Sequence, residues 1–165
     1  MVVLGVGNEL QKDDGVGVHV VRRLSRLSFP PSVRLIEGGT GGENLLFYFE
    51  GAERLIIIDS LDAGADPGTL FSFTPEELEL IESSEPVSLH QIRVPEVLSL
   101  ARKLGKLPPT RIYAVQPAEI DWGLELSSVV ESRVLGLVSL VRQDIDNWLK
   151  EAESGGLSKR EEGLS

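Results

Sequence analysis

Short apolar runs alternate with amphipathic segments along most of the chain. The runs at Val2–Val6 and 55–58 consist only of apolar residues and glycine, which is typical of strands buried on both faces of a sheet. The predicted strands are residues 2–6, 33–36, 54–59, 69–73 and 111–116. Between them, apolar residues recur at the three- to four-residue spacing of a helix with one buried face. This order predicts an α/β protein, a three-layer α/β/α sandwich around a largely parallel sheet.

Helical spacing is clearest near the C-terminus. One apolar face recurs from Val130 to Trp148, and Ser128 with Glu131 has the spacing of a capping box. Shorter helices are predicted within residues 16–27, 45–49, 76–81 and 94–104. Beyond Lys150 the sequence becomes polar and rich in Gly and Ser. We therefore predict a single domain over residues 1–150 and a frayed polar tail over residues 151–165.

Composition and charge narrow the classes of function. The 165 residues include no cysteine, which excludes disulfides, thiolate nucleophiles and cysteine-ligated metal centres. The 16 basic and 26 acidic side chains give a net charge of −10, which argues against nucleic-acid binding. No apolar run reaches the ~18–20 residues of a membrane span, and the N-terminus lacks the basic region of a signal peptide. We therefore expect a cytoplasmic protein without a membrane partner.

Candidate chemistry lies where the predicted strands end, because functional groups in parallel sheets collect at the carboxyl edge. The first strand leads into a glycine-containing turn, but Leu10 stands where a dinucleotide fingerprint needs its third glycine. Asp13 and Asp14 follow, immediately before a predicted helix. One carboxylate is enough to cap a helix N-terminus, so we interpret the second as functional.

Two further acids end predicted strands. Glu37 precedes a loop with four glycines, which is equally compatible with a tight turn and with a binding loop. Asp59 follows four consecutive apolar residues, and burying a carboxylate there is costly unless it has a partner. Asp62, which follows in the next loop, is interpreted as a turn or capping residue.

The sequence contains two histidines. His19 lies within the first predicted helix beside valines, and we interpret it as a helix-surface residue. His90 lies in an irregular stretch before a later helix. Together, Asp14, Asp59 and His90 could bind a divalent metal such as nickel, zinc, iron or manganese, since two carboxylates neutralise its charge and leave coordination positions open. The residues themselves thus indicate a metal-binding α/β domain, with hydrolysis as one chemistry for it.

In these motifs the chain resembles the hydrogenase maturation proteases, endopeptidases that remove a C-terminal extension from the large subunit of nickel–iron hydrogenase once nickel is in place. The resemblance is carried by residues 5–17, 37–40, 55–59, 67–69, 88–90, 96–98, 115–117 and 126–127, in the family's order. It implies a phosphorylase/hydrolase-like fold, with a five-stranded mixed sheet between helices. The one antiparallel strand of that sheet is assigned to residues 69–73.

The resemblance also implies a site and a partner. The family's metal-contacting positions correspond to Asp14, Asp59 and His90. The nickel is expected to arrive bound to the large-subunit precursor, with no organic cofactor, no nucleic acid and no membrane involved. At the position of Glu37 the family usually has Asp, and the residue at this position is implicated in recognising the metal state. Glu37 is also a candidate general base. We expect the protein to be a monomer.

Three other functions remain open. A hydrolase with a resident metal would use the same residues to cleave generic peptides, and a non-catalytic nickel-sensing module would use them for binding alone. A peptidyl-tRNA hydrolase has a related fold and a similar end to its first strand. The net charge of −10 and the adjacent acids Asp13 and Asp14 disfavour that third alternative.

Overall fold

The computed structural model describes residues 1–84 and 94–162, which form a five-stranded sheet with helices. The strands are β1 (Val2–Val6), β2 (Arg34–Gly39), β3 (Leu55–Ser60), β4 (Leu70–Phe73) and β5 (Thr110–Val115). The helices are α1 (Val16–Leu24), α2 (Leu45–Phe49), α3 (Pro75–Ser84), α4 (Val94–Lys103) and α5 (Ser128–Glu162). Two 3-10 turns, Lys12–Gly15 and Gly42–Asn44, precede α1 and α2.

The sheet has the strand order β2-β1-β3-β5-β4. The first four strands run parallel, and β4 pairs antiparallel with β5 at one edge. Both β1 and β3 are buried along their whole length, as their apolar runs predict. The α/β class, the five-stranded mixed sheet and the antiparallel strand within residues 69–73 are therefore confirmed.

Helices cover both faces of the sheet, and the sheet separates the hydrophobic core into two clusters. Val3 packs in a cluster with residues of α1 and α5, whereas Val2 and Leu4 pack with residues of α2, α3 and α4. Alternate side chains of a strand point to opposite faces of the sheet. The single apolar strand β1 therefore contributes to both cores, and the described residues form the three predicted layers.

The N-terminus of α1 lies close to the carboxyl ends of β1 and β3. A Cβ atom at Gly17 would lie 2.1 Å from the carbonyl oxygen of Ile58, and one at Gly5 would lie 2.2 Å from the carbonyl oxygen of Gly17. Only glycine allows the helix and the sheet to approach so closely. This contact places the turn Lys12–Gly15 against the end of β3.

Strand β2 is longer than the sequence pattern predicts. It continues to Gly39, so Glu37 lies within the strand, and the first two glycines of the predicted loop belong to the strand as well. Glu37 pairs with Gly5 and Gly39 pairs with Val6, which leaves Gly38 as the extra residue of a bulge. The apolar run stops earlier than the strand because backbone pairing does not require apolar side chains.

Helix α5 is also longer than predicted. It continues through much of the predicted tail, residues 151–165, and ends at Glu162. Each of the two adjacent glycines in this stretch disfavours a helix by about 1 kcal/mol relative to alanine, and the pattern therefore predicted an end near Lys150. Within the described ranges, no helix is both long and apolar enough to cross a membrane.

Candidate active site

Asp14 lies in the turn Lys12–Gly15 and is buried beside the end of β3. The backbone N–H of Asn8 donates a hydrogen bond to its Oδ2 at 2.7 Å, and the hydroxyl of Ser60 donates one to its Oδ1 at 2.9 Å. Burial raises the pKa of Asp14 above its ordinary value, and these two hydrogen bonds oppose the rise. Both oxygens of this carboxylate are thus held in a fixed orientation.

Asp59 follows the apolar run of β3 and is 6% exposed. The backbone N–H of Ser60 donates a hydrogen bond to its Oδ1 at 2.8 Å. Burial, followed by the negative charge of Asp14, raises the pKa of Asp59 well above its ordinary value. In residues 1–84 and 94–162, neither carboxylate pairs with a lysine or an arginine. Two neighbouring buried carboxylates without a cation favour uptake of a proton or a metal ion.

Gly7 and Ser60 bring the two aspartates together. Gly7 has a φ of +122°, and a Cβ atom there would lie 1.8 Å from the carbonyl oxygen of Asp14 and 3.6 Å from Oδ1 of Asp59. Ser60 donates its N–H to Asp59 and its hydroxyl to Asp14. Sequence reasoning missed Ser60, although a hydroxyl residue directly after an acid at the end of a buried strand is a signal that could have identified it.

Asp13 has a structural role and does not belong to this pair. Its carboxylate accepts hydrogen bonds from the backbone N–H groups of Ala118 and Glu119, both at 2.9 Å. It also accepts bonds from the N–H of Ser127 at 2.7 Å and from the hydroxyl of Ser127 at 2.8 Å. Gly15 precedes α1 without a capping side chain, so neither acid caps that helix. Of the two adjacent acids, Asp13 therefore fixes the loop before α5, and Asp14 is the one beside Asp59.

Glu37 forms an ion pair with Arg22 at the opposite side of β1. Its Oε2 accepts a hydrogen bond from Nε of Arg22 at 3.0 Å and lies 2.9 Å from Nη2. Nη1 of Arg22 also lies 2.6 Å from Oε2 of Glu9. These two acids raise the pKa of Arg22. Glu37 pairs with Gly5, which pairs with Ile58, and two strand spacings amount to roughly 10 Å. Glu37 thus lies at the margin of the site, and its carboxylate is ion-paired with Arg22.

Of the two histidines, the structure describes His19 and not His90. His90 lies outside the described residues, and the described ranges hold no group of three metal-binding side chains. His19 is half-buried on α1, and its Nε2 is buried without a hydrogen-bond partner in the described part of the chain. His19 is therefore less exposed than the helix-surface interpretation implies.

Asp62 lies in the loop after β3, as its interpretation as a turn residue requires. Its Oδ1 accepts hydrogen bonds from the N–H of Gly64 at 3.2 Å and from Nε2 of Gln116 at 2.9 Å. The bonds from Gln116 and Gly64 lower the pKa of Asp62. This exposed, hydrogen-bonded acid contrasts with Asp59, which is only three residues earlier.

Comparison with known proteins identifies the family of this chain. The family model described as HycI, hydrogenase maturation protease, matches residues 18–144. The hydrogenase expression/formation protein HupD of Bradyrhizobium diazoefficiens is 35% identical over 151 residues, which cover 90% of this chain and 79% of HupD. This chain belongs to the hydrogenase maturation protease family.

Solved structures of this family share the fold. The hydrogenase maturating endopeptidase HybD from Escherichia coli superposes with a TM-score of 0.80 at 30% identity, covering 88% of this chain and 91% of HybD. HybD from Thermococcus kodakarensis, a [NiFe] hydrogenase maturation protease, gives a TM-score of 0.72 at 30% identity, covering 86% and 96% of the two chains.

Among the residues predicted for this maturation protease, the structure brings Asp14 and Asp59 together. It adds Ser60 to them and assigns Asp13 to the support of a loop. It leaves Glu37 paired with Arg22 at the margin. As a hydrogenase maturation protease, the chain is a peptidase, and the paired aspartates are its candidate chemical centre.

Proposed function

We propose that this endopeptidase removes the C-terminal extension of a nickel-loaded [NiFe]-hydrogenase large-subunit precursor. Nickel is part of the substrate in this proposal and reaches the enzyme already bound to the precursor. Asp14, Asp59 and His90 recognise the nickel, so that a precursor without the metal is not cut. Neither a resident metal nor an organic cofactor is part of the proposal.

The observation that carries the proposal is the buried pair of carboxylates, Asp14 and Asp59. Burying two acids beside one another is costly and does not help the fold, because no basic side chain in the described ranges compensates their charge. A divalent ion supplied by the substrate would provide that charge and displace protons from the pair. The pair is thus suited to bind a metal that is present only while the precursor is bound.

His90 enters the proposal through the sequence resemblance. Val94, four residues after His90, lines the same small apolar cavity as Asp59 and Ser60. Four residues of chain span at most about 14 Å. We therefore infer that His90 is the third ligand, beside Asp14 and Asp59.

The substrate nickel would place the scissile peptide beside the enzyme, and it could polarise the carbonyl group or activate the attacking water. We assign the general base to a carboxylate of the site. Glu37, at the margin of the site, is a candidate for this base. Its ion pair with Arg22 must break before its carboxylate can accept a proton. Release of Arg22 when the precursor docks would couple base activation to substrate binding.

The direct test compares nickel-loaded and nickel-free precursor of the cognate large subunit. The enzyme is expected to shorten only the nickel-loaded precursor, as detected by gel shift and by mass spectrometry of the released peptide. Equal cleavage of both forms would contradict recognition of nickel. Cleavage of neither form would favour a non-catalytic nickel-binding module.

The histidines provide a matched pair of variants for the third ligand. His90→Ala is expected to abolish processing, because the nickel loses a ligand from the enzyme. His19→Ala should process at close to the wild-type rate, since His19 lies on α1 and is not part of the proposed centre. Equal processing by the two variants would remove His90 from the site.

A further inference from the structure

An exposed apolar patch lies on the loops beside Asp14. We define the apolar patch as Leu10, Ile120, Trp122 and Leu124, of which Trp122 is 75% and Leu124 is 62% exposed. Single exposed apolar residues are normal on protein surfaces, whereas a group of large ones on adjoining segments marks an interaction site. Phe47 and Leu135 are comparably exposed, but each lies on a separate helix.

The backbone holds the two segments of the apolar patch together. The N–H of Gly123 donates to the carbonyl oxygen of Leu10 at 3.0 Å, and the N–H of Lys12 donates to the carbonyl oxygen of Gly123 at 2.8 Å. The buried carboxylate of Asp13 accepts four hydrogen bonds from residues 118, 119 and 127, the two ends of the loop. An apolar loop that is fixed before binding loses little conformational entropy when a partner covers it.

The apolar patch is continuous with the candidate active site. The loop that carries Leu10 begins at Asn8, whose N–H contacts the carboxylate of Asp14. Two residues of chain span at most about 7 Å. The other segment is attached to Asp13, the neighbour of Asp14. A macromolecule that delivers a metal ion to Asp14 must therefore lie over or directly beside the apolar patch.

The charges around the apolar patch indicate the chemistry of its partner. Asp121 and Glu125 are exposed among its apolar residues, and residues 119–125 contain no lysine or arginine. Lys12 forms an ion pair with Glu119 and also attracts Asp121, so this one lysine faces more acids than it can neutralise. The complementary surface is apolar at its centre and carries lysine or arginine at its edge.

We propose that the apolar patch is the docking surface for the large-subunit precursor, through an apolar area of the precursor that is bordered by basic residues and adjoins its nickel site. This inference rests on the proposed function, because the precursor is the macromolecule that would carry a metal to Asp14. It assigns specificity for the protein substrate to a surface separate from the residues that contact the metal.

The test compares Leu124→Glu with Leu135→Glu, which places the same charge at a similarly exposed leucine of α5, 66% exposed. A carboxylate at the apolar centre of an interface is buried there without a partner, a cost that corresponds to tenfold or more in affinity. We expect Leu124→Glu to lower kcat/KM for the nickel-loaded precursor at least about tenfold, mainly through KM, with Leu135→Glu close to wild type. Higher ionic strength should weaken binding of the precursor to the wild type. Circular dichroism confirms that both variants fold.

The outcomes separate this inference from the proposed function. If the wild type cuts the precursor and Leu124→Glu cuts it as well as Leu135→Glu does, the docking surface is wrong and the function stands. If the wild type does not cut the precursor, the proposed function fails, and binding of the precursor to the same variants decides the role of the patch. If sedimentation shows a wild-type dimer that Leu124→Glu abolishes, the patch contacts a second copy of this chain and the proposal is overturned.

Discussion

Asp13 and Asp14 are adjacent acids that are both buried but have different surroundings. Asp13 accepts four hydrogen bonds, all from the loop before α5, and these satisfy its carboxylate. Asp14 accepts two hydrogen bonds and lies beside a second buried carboxylate, that of Asp59. The first arrangement stabilises the structure, whereas in the second no lysine or arginine of residues 1–84 and 94–162 pairs with the carboxylates.

The contrast teaches that burial alone does not identify a functional acid. A buried carboxylate surrounded by donors is explained by the structure that it holds together. A buried carboxylate that lies beside a second buried carboxylate has no such explanation. The following variants test whether these two acids differ as their surroundings indicate.

The largest effect is expected from Asp59→Asn. Loss of one negative charge from the paired acids should reduce processing of the nickel-loaded precursor below detection, while the metal-free protein stays folded and becomes no less stable to urea. Asp62→Asn, three residues later on an exposed loop, is the matched control and should process normally. Undiminished processing by Asp59→Asn would refute the role of the pair in metal recognition.

The next largest effect concerns stability and comes from the other member of the comparison. Asp13→Asn replaces a carboxylate oxygen with an amide N–H group that faces backbone donors, which should lower the free energy of unfolding by about 2–3 kcal/mol. Glu125→Gln, on the exposed part of the same loop, should change it by less than about 0.5 kcal/mol. Urea denaturation measures both. A similar, small change in the two variants would show that Asp13 does not hold the loop.

The pH dependence of stability should distinguish the paired acids from ordinary surface acids. The pKa values of Asp14 and Asp59 are raised in the folded protein above the ordinary value of 3.8. A raised carboxyl pKa contributes stability that is present below the unfolded pKa and is lost as pH rises through the folded pKa. Relative to the Asp14→Asn/Asp59→Asn double variant, the metal-free wild type should therefore lose stability as pH rises above about 4. Parallel curves for the two proteins would contradict the raised pKa values.

The smallest effect is expected from Ser60→Ala. Loss of one hydrogen bond to Asp14 should reduce kcat/KM about fivefold, since such a bond contributes about 1 kcal/mol. The hydroxyl lowers the pKa of Asp14, so its removal should shift the acidic limb of the pH–rate profile to higher pH. Ser60→Thr keeps the hydroxyl and should restore both the rate and the profile. A profile that does not move in Ser60→Ala would reduce Ser60 to a packing role.

Most of the architecture follows from local patterns in the sequence. The apolar runs of β1 and β3 predict central strands, because a strand with apolar residues at every position is stable only when both of its faces are covered. The position of Asp59 after such a run predicts a buried acid in need of a partner. The ends of β2 and α5 were less predictable, because they depend on backbone pairing and helix propagation beyond the apolar residues.

By itself, the sequence determined the fold class, the family and two of the acids at the candidate site. Only the tertiary structure revealed the role of Asp13, because the donors that satisfy its carboxylate come from a loop more than a hundred residues away. The structure likewise shows that Ser60 orients Asp14 and that Arg22 forms an ion pair with Glu37. A residue type and its spacing record which chemistry is available, whereas partners that are distant in sequence determine which carboxylate is left uncompensated.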